Sequence, residues 1–234
     1  MPARVLVTRP EPGCSATAAR LAGLGFEPVV LPLTRVVPTG ILLPDGPFDA
    51  VMATSANAIR MADGSGRDRL VDLPLFAVGP ATAAAARQAG FSHVIQGPGS
   101  ADALAGEIAA SIGRPARLLY LAGKTRLSVA EAMLETEGIA VTVAETYRTV
   151  RIKLAPGGLR AQLGGRRLDA VLLYSRLAAQ AISEALLDPA AAELAKGAAF
   201  LCISAGVAGA LSPVLRADVR VATEPNEEAL FSLI

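Results

Sequence analysis

Six short segments of this chain carry the side chains from which a polar site can be built. They are Thr8-Arg-Pro-Glu-Pro-Gly13, Thr54-Ser-Ala-Asn57, Val78-Gly-Pro-Ala-Thr82, Ala122-Gly-Lys-Thr-Arg126, Tyr174-Ser-Arg176 and Ile203-Ser-Ala-Gly206. Each follows an apolar run and opens an Ala- or Leu-rich one, the pattern of a strand turning into a helix. At such a turn the free backbone N–H groups and the helix dipole attract anions and oxygen acceptors. Every segment adds Ser, Thr or Gly, and three add cations: Arg9, Lys124 with Arg126, and Arg176. The chemistry this suggests is recognition of a polar, anionic small molecule. Thr8, Arg9, Ser55, Asn57, Gly79, Thr82, Gly123, Lys124, Arg126, Ser175, Arg176 and Ser204 are the candidate contacts. Taken one at a time, each turn reads first as an ordinary N-cap. The recurrence of one character at six turns is what favours a ligand site.

Other chemistries lack their residues. The one histidine, His93, follows a short loop into an apolar strand and reads as a structural residue, so Ser-His-Asp catalysis has little to build on. Cys14 and Cys202 form neither a disulfide framework nor a metal spacing, and Cys202 sits in an apolar run, as core would. No Gly-x-Gly-x-x-Gly follows the first strand and no Walker A sequence occurs, so no metal and no cofactor are expected. Asp49 and Asp169 stand at strand starts, away from the expected site, and read as structural. Lys plus Arg number 22 against 21 Asp plus Glu, and aromatics make 4%, which argues against a nucleic-acid surface.

The elements that must hold these turns repeat. Val5 to Val37 aligns with Leu118 to Val150 at one constant offset: strand, polar turn, helix, glycine (Gly25 or Gly138), second strand. Phe48-Asp-Ala-Val-Met-Ala-Thr-Ser55 likewise echoes Leu168-Asp-Ala-Val-Leu-Leu-Tyr-Ser175. The order is a-b-a′-b′, two like α/β halves with a cleft expected between them. Strands are expected near 4–8, 26–31, 48–54, 74–78, 93–95, 117–121, 139–144, 169–174, 199–203 and 218–221. Helices are expected near 14–24, 56–62, 81–89, 101–112, 127–137, 176–187, 205–215 and 226–233. Runs such as Ala170-Val-Leu-Leu-Tyr are apolar on both faces, as parallel strands covered by helices should be. The fold class is therefore α/β: two similar doubly wound parallel-sheet domains of about five strands each.

A tandem division would cut near Gly113-Arg-Pro115; a swapped one groups a with b′ and b with a′. The crossings, about 32–40 and 145–157, are extended and β-branched, and could pair as a two-stranded ladder, which favours the swap. The expected division is then 1–36 with 152–234 as one domain and 40–146 as the other. Paired crossings can also act as hinges. With 52% hydrophobic and 18% charged residues the chain reads as globular. It holds no apolar run of the ~20 residues that span a bilayer, and no signal peptide is read at Met-Pro-Ala-Arg, so a cytoplasmic monomer without membrane partners is expected.

These residues, in this order, resemble the uroporphyrinogen III synthase family over essentially the whole chain. The carriers are Val5-Leu-Val-Thr-Arg9, Leu21 to Pro32 with Gly25, Phe48 to Ala58, Phe76-Ala-Val-Gly-Pro-Ala-Thr82, Leu119-Tyr-Leu-Ala-Gly123, Gly138, Tyr147-Arg-Thr149 and Asp169 to Ser175. In one place the chain departs from the family: the glycine turn followed by threonines reads Ile203-Ser-Ala-Gly-Val-Ala-Gly209. The hydroxyl expected there must come from Ser204, or the contact from backbone N–H.

The resemblance implies two α/β domains joined by a two-stranded ladder. It also implies a lyase of tetrapyrrole and heme biosynthesis that closes hydroxymethylbilane with inversion of the last pyrrole ring, losing water. The substrate hydroxyl leaves to give an azafulvenium cation, attack at the substituted carbon of the last ring gives a spiro intermediate, and fragmentation with reclosure inverts the ring. Such an enzyme mainly positions a flexible linear tetrapyrrole. Tyr147 is the candidate proton or hydrogen-bond donor to the departing hydroxyl; the other reading makes it a packing residue of the ladder. Transient handover from hydroxymethylbilane synthase is a family-level expectation. The alternatives are a non-catalytic two-domain module binding small anions, or an enzyme on a phosphorylated metabolite, which would need firmer glycine cradles.

Overall fold

The computed structural model describes residues 1–62 and 64–234. Four four-residue runs are buried throughout: Arg4–Val7, Ala50–Ala53, Ala170–Leu173 and Ala199–Cys202. Strands apolar on both faces can exist only inside a sheet covered twice, and these runs are the centre of two such sheets.

In chain order, β1 (Arg4–Val7), α1 (Gly13–Gly23) and β2 (Glu27–Val30) are followed by β3 (Thr34–Pro38). The middle stretch supplies β4 (Ala50–Ala53), α2 (Ala56–Arg60), α3 (Gly64–Asp68), β5 (Leu75–Ala77), α4 (Pro80–Gln88), β6 (Val94–Gln96) and α5 (Ala101–Ser111). It continues with β7 (Ala116–Gly123), α6 (Val129–Thr136) and the long β8 (Ile139–Arg151). The final stretch adds α7 (Gly158–Leu163), β9 (Ala170–Leu173), α8 (Arg176–Ala185), α9 (Pro189–Leu194), β10 (Ala199–Cys202) and α10 (Ala205–Ala208). A 3-10 turn (Pro213–Asp218), β11 (Val219–Val221) and α11 (Glu227–Phe231) complete it.

One sheet has the order β2-β1-β9-β10-β11, the other β3-β8-β7-β4-β5-β6. Within each the central pairings are parallel. Placing β1 over β7 and β9 over β4 gives both the same doubly wound order, 2-1-3-4-5, with β3 added outside β8. The second sheet reaches that order by a chain that starts at its third strand. By its contacts the chain forms two compact units, residues 1–35 with 150–234 and residues 36–149. These are unit 1 and unit 2 respectively. The chain thus passes between units twice, along β3 and β8. The main-chain bonds Thr39 N–H to Thr146 O (3.0 Å) and Ile152 N–H to Leu33 O (2.9 Å) run these segments antiparallel, the expected ladder.

Each sheet is clad on both faces. In unit 1, Leu6, Val171, Leu173 and Phe200 pack with Leu163 and Ile182; on the reverse, Val5, Val7, Leu172 and Leu201 pack with Leu21 and Leu230. In unit 2, Val51, Leu75, Leu119 and Leu121 meet Ile59 and Ala86, while Met52, Phe76, Leu118 and Tyr120 meet Leu104, Ile108 and Leu134. The repeated glycines end equivalent helices. Gly25 (φ 87°) follows α1 and Gly138 (φ 76°) follows α6, both in the left-handed region where a side chain is strained.

Asp49 and Asp169 do the structural work expected of them. The Asp169 carboxylate accepts the Arg4 N–H and the Asp49 carboxylate accepts the Arg117 N–H, both at 2.7 Å, stitching the starts of neighbouring strands. His93 is exposed. Cys202 and Cys14 are buried and burial pushes both thiols up to about 11, in Cys14 with a smaller push from Glu11, so neither is a ready nucleophile. The expected helix over 205–215 stops at Ala208, since Gly209 caps it and Pro213 starts a 3-10 turn. Three short helices, α3, α7 and α9, were not among the expected elements.

Candidate functional site

In a 2-1-3-4-5 sheet, ligands collect beyond the carboxyl ends of the strands, where the winding direction reverses. That point lies between β1 and β9 in unit 1 and between β7 and β4 in unit 2. Four of the six polar turns open at these two points: Thr8-Arg9 after β1, Ser175-Arg176 after β9, Gly123 to Arg126 after β7, and Thr54 to Asn57 after β4.

In unit 1 the switch point is built around a carboxylate. Arg9 lies over the Tyr174 ring, 4.7 Å from its centre, and its Nη1 donates to Glu227 Oε1 at 2.7 Å. The same oxygen accepts from Tyr174 Oη at 3.0 Å and from Thr17 Oγ1, while Arg20 donates to Oε2. Burial alone pushes the Glu227 carboxyl up, but the hydrogen bonds from Thr17 and Tyr174 and the charges of Arg9 and Arg20 prevail and hold it below the usual carboxylate range. Burial, then the Glu227 charge, push the Tyr174 phenol well above the usual tyrosine range, so it stays an O–H donor. α11, which carries Glu227, is seated by the fully buried Leu230 and by Arg20 over Phe231. Thr8 is buried, and its hydroxyl donates to the Leu172 carbonyl at 2.7 Å, tying β1 to β9. Ser175 caps α8 by accepting from Ala178 N–H at 3.1 Å; Arg176 beside it is exposed, with no ion-pair partner among the described residues. Ser204 occupies the N-cap of α10, but its side chain makes no capping bond.

In unit 2 the switch point is built around two phenols. Tyr120 is buried within β7 and hydrogen-bonds Thr54 Oγ1 at 2.7 Å, joining β7 to β4; burial is the main cause pushing it above the usual tyrosine range. Arg126 lies 6.0 Å from the Tyr120 ring centre and donates to Glu131 (2.5 Å), Glu145 (2.9 Å) and the Gly123 carbonyl (3.3 Å). Tyr147, half-buried on β8, stands opposite Gly123, where the pairing of β7 with β8 slips by one residue. Its carbonyl accepts the Lys124 N–H at 2.8 Å; the Lys124 side chain is exposed and has no ion-pair partner among the described residues. Ser55 caps α2 through Asn57 N–H at 3.2 Å. Gly79 caps α4 with bare backbone, and Thr82, one turn in, is buried.

The candidates thus divide. Arg9, Ser175 and Arg176 gather at the switch point of unit 1, and Ser55, Asn57, Gly123, Lys124, Arg126 and Tyr147 at that of unit 2. Gly79 and Ser204 open the helices after β5 and β10, one strand further out, while Thr8 and Thr82 face inward. Residue types alone did not single out Tyr174, Glu227, Thr17 and Arg20, nor Tyr120, Thr54, Glu131 and Glu145. The repeat held one clue, because Tyr174 and Thr54 are equivalent positions within it. Glu227 left none, being 218 residues from Arg9.

A concavity of unit 1, about 540 Å³, lies elsewhere, between Arg151–Leu159 and the last turns of α8. Its acids are already engaged, Glu184 with Arg151 and Asp188 as the cap of α9. Among the described residues, no helix is long and apolar enough to cross a membrane.

A family model, Uroporphyrinogen-III synthase HemD, matches residues 15–232. The chain belongs to the uroporphyrinogen-III synthase family. In structure it is similar to the uroporphyrinogen-III synthetase of Helicobacter pylori, with 18% identity, 100% of this chain and 98% of that one covered, and a TM-score of 0.64. A mutant uroporphyrinogen III synthase of Thermus thermophilus aligns at 19% identity over 99% of this chain and 95% of that one, with a TM-score of 0.49. No curated protein matches in sequence. The H. pylori likeness supports the two-sheet α/β fold, and family membership makes this chain an enzyme of tetrapyrrole biosynthesis, a lyase.

Proposed function

We propose that this chain converts hydroxymethylbilane to uroporphyrinogen III, closing the linear tetrapyrrole with inversion of its last ring and release of water. The observation that carries the reading is the family match across residues 15–232. The switch points supply what such a reaction needs. Once the terminal hydroxyl departs, the substrate's own pyrrole nitrogens stabilise the cation, so the protein's task is to hold one folded arrangement of a flexible chain and aid that departure.

Tyr147 is our choice for the donor to the departing hydroxyl, since a phenol can donate without a buried charge nearby. Lys124 and Arg176 are cations without ion-pair partners among the described residues, one at each switch point, and suit the substrate's acetate and propionate groups. Arg9 and Arg126 are already paired with carboxylates and act first on the protein itself. The N–H groups opening α4 and α8 offer further donors to the substrate's oxygens. We assign the enzyme to the cytoplasm, with transient handover of an unstable substrate from hydroxymethylbilane synthase.

The test is to generate hydroxymethylbilane in situ from porphobilinogen and a deaminase, add the protein, oxidise the products and separate the isomers. Isomer III in excess, against isomer I without the protein, is the expected result. Isomer I alone, from folded protein, would sink the synthase reading and leave an anion-binding module.

A further inference from the structure

Tyr147 can present its phenol where it does only because the strand beside it lacks a side chain. β7 and β8 pair regularly from Ala116 with Ile139 to Ala122 with Glu145; the next pair is Gly123 with Tyr147, so Thr146 is skipped. A skipped residue of this kind is a β-bulge, which re-aims the side chain that follows. Thr146 is held in the bulge from two directions. Its buried hydroxyl donates to the Ala58 carbonyl at 2.8 Å, and its own carbonyl accepts the Thr39 N–H at 3.0 Å. Thr39 Oγ1 also donates to the Glu145 carbonyl at 2.6 Å, and Lys124 N–H to the Tyr147 carbonyl at 2.8 Å, so the backbone on both sides of the slip is pinned.

The register therefore brings Tyr147 directly against Gly123. A Cβ added to Gly123 would stand 2.6 Å from Tyr147 Cζ, 2.8 Å from its Oη and 3.0 Å from Cε1. These are the ring atoms that bear the hydroxyl, and such distances force a shift. Gly123 is not required for its backbone conformation, because its φ is not in the left-handed region. What demands glycine here is the phenol.

We propose that Gly123 is a positioning residue for the synthase reaction: the absence of a side chain there, with the Thr146 bulge, sets where the Tyr147 hydroxyl meets the departing hydroxyl of the linear tetrapyrrole. The proposal rests on the reading of Tyr147 as that donor. A phenol displaced by even about 1 Å should cost tenfold to a hundredfold in turnover. Binding contacts made by other groups stay in place, so the loss falls on kcat.

The experiment is a double-mutant cycle of Gly123→Ala and Tyr147→Phe, assayed by isomer III formation. Gly123→Ala should lower kcat at least about tenfold with KM within about twofold, and the double variant should be no slower than Tyr147→Phe alone. Wild-type kcat in Gly123→Ala, or losses that multiply in the double variant, overturns the proposal while leaving the Tyr147 reading intact. Wild-type turnover in Tyr147→Phe removes that reading itself, and the proposal with it. Should Gly123→Ala not fold, Tyr147→Gly removes the ring it collides with. Added phenol should then speed Tyr147→Gly and not Tyr147→Gly/Gly123→Ala; phenol speeding both, or neither, counts against it.

Discussion

Unit 1 and unit 2 share a strand order, a switch point and a tyrosine beneath an arginine, yet they use that arrangement differently. In unit 1 the guanidinium of Arg9 and the phenol of Tyr174 both point at Glu227, a carboxylate brought from the end of the chain. In unit 2 the guanidinium of Arg126 is paired by carboxylates close in sequence, Glu131 and Glu145, and a second phenol, Tyr147, stands apart from them over Gly123. The same topology thus yields an edge that fastens the C-terminal helix and an edge where we place the donor. The two units share one scaffold and differ in the residues at the strand ends.

The largest effects should separate those roles. Tyr147→Phe is expected to lower kcat about a hundredfold, the scale of a lost proton donor. Tyr174→Phe should act on stability, costing about 1.5–3 kcal/mol for a hydrogen bond to a charged group, with isomer III still the main product. Steady-state kinetics and urea unfolding of the two variants check this together. If Tyr174→Phe loses as much turnover as Tyr147→Phe, the division between fastening and presenting edges is wrong.

Glu227→Gln comes next, with an expected loss of about 2 kcal/mol, because Arg9 and Arg20 lose their counter-charge while Thr17 and Tyr174 keep an acceptor. The effect depends on pH with a definite sign. The folded Glu227 carboxyl titrates below its unfolded value, so its contribution is complete above the ordinary glutamate range, near pH ~4.3. It is lost as the pH falls through the lower folded value. Wild type and variant should therefore differ most near neutrality and converge in acid, as read by denaturant titrations across that range. A difference independent of pH would mean that shape, not charge, fastens α11.

How much of this could be read from residues alone follows from the range of the interactions. The strands were legible because Val5-Leu-Val and Ala170-Val-Leu-Leu are apolar on both faces. The ladder was legible because Thr34 to Pro38 and Thr146 to Ile152 are rich in β-branched residues, although β8 proved to be one continuous strand through its crossing. α3, α7 and α9 were not, since five or six residues complete too few turns for a helical period to show, and glycines open two of them. At the site, the capping roles of Ser55 and Ser175 are local and were visible as strand-to-helix turns. That the Thr8 hydroxyl turns inward to Leu172, or that Glu227 closes over Arg9, depends on partners more than 150 residues away, and no spacing announces it.

The smallest prediction tests the equivalence of the two units at the edge away from the chemistry. Asp169 and Asp49 make the same stitch, each carboxylate accepting a backbone N–H at 2.7 Å and each N–H donating back, to Arg4 O at 3.0 Å and to Arg117 O at 2.9 Å. Both residues are exposed, so water competes for each bond, and replacement by Ala should cost only about 0.5–1 kcal/mol. The two losses should be equal, and kcat should not move in either variant. Urea midpoints measured side by side decide the matter. A loss at one aspartate without a matching loss at the other would show that unfolding is governed by one unit, so that the shared strand order no longer implies shared stability.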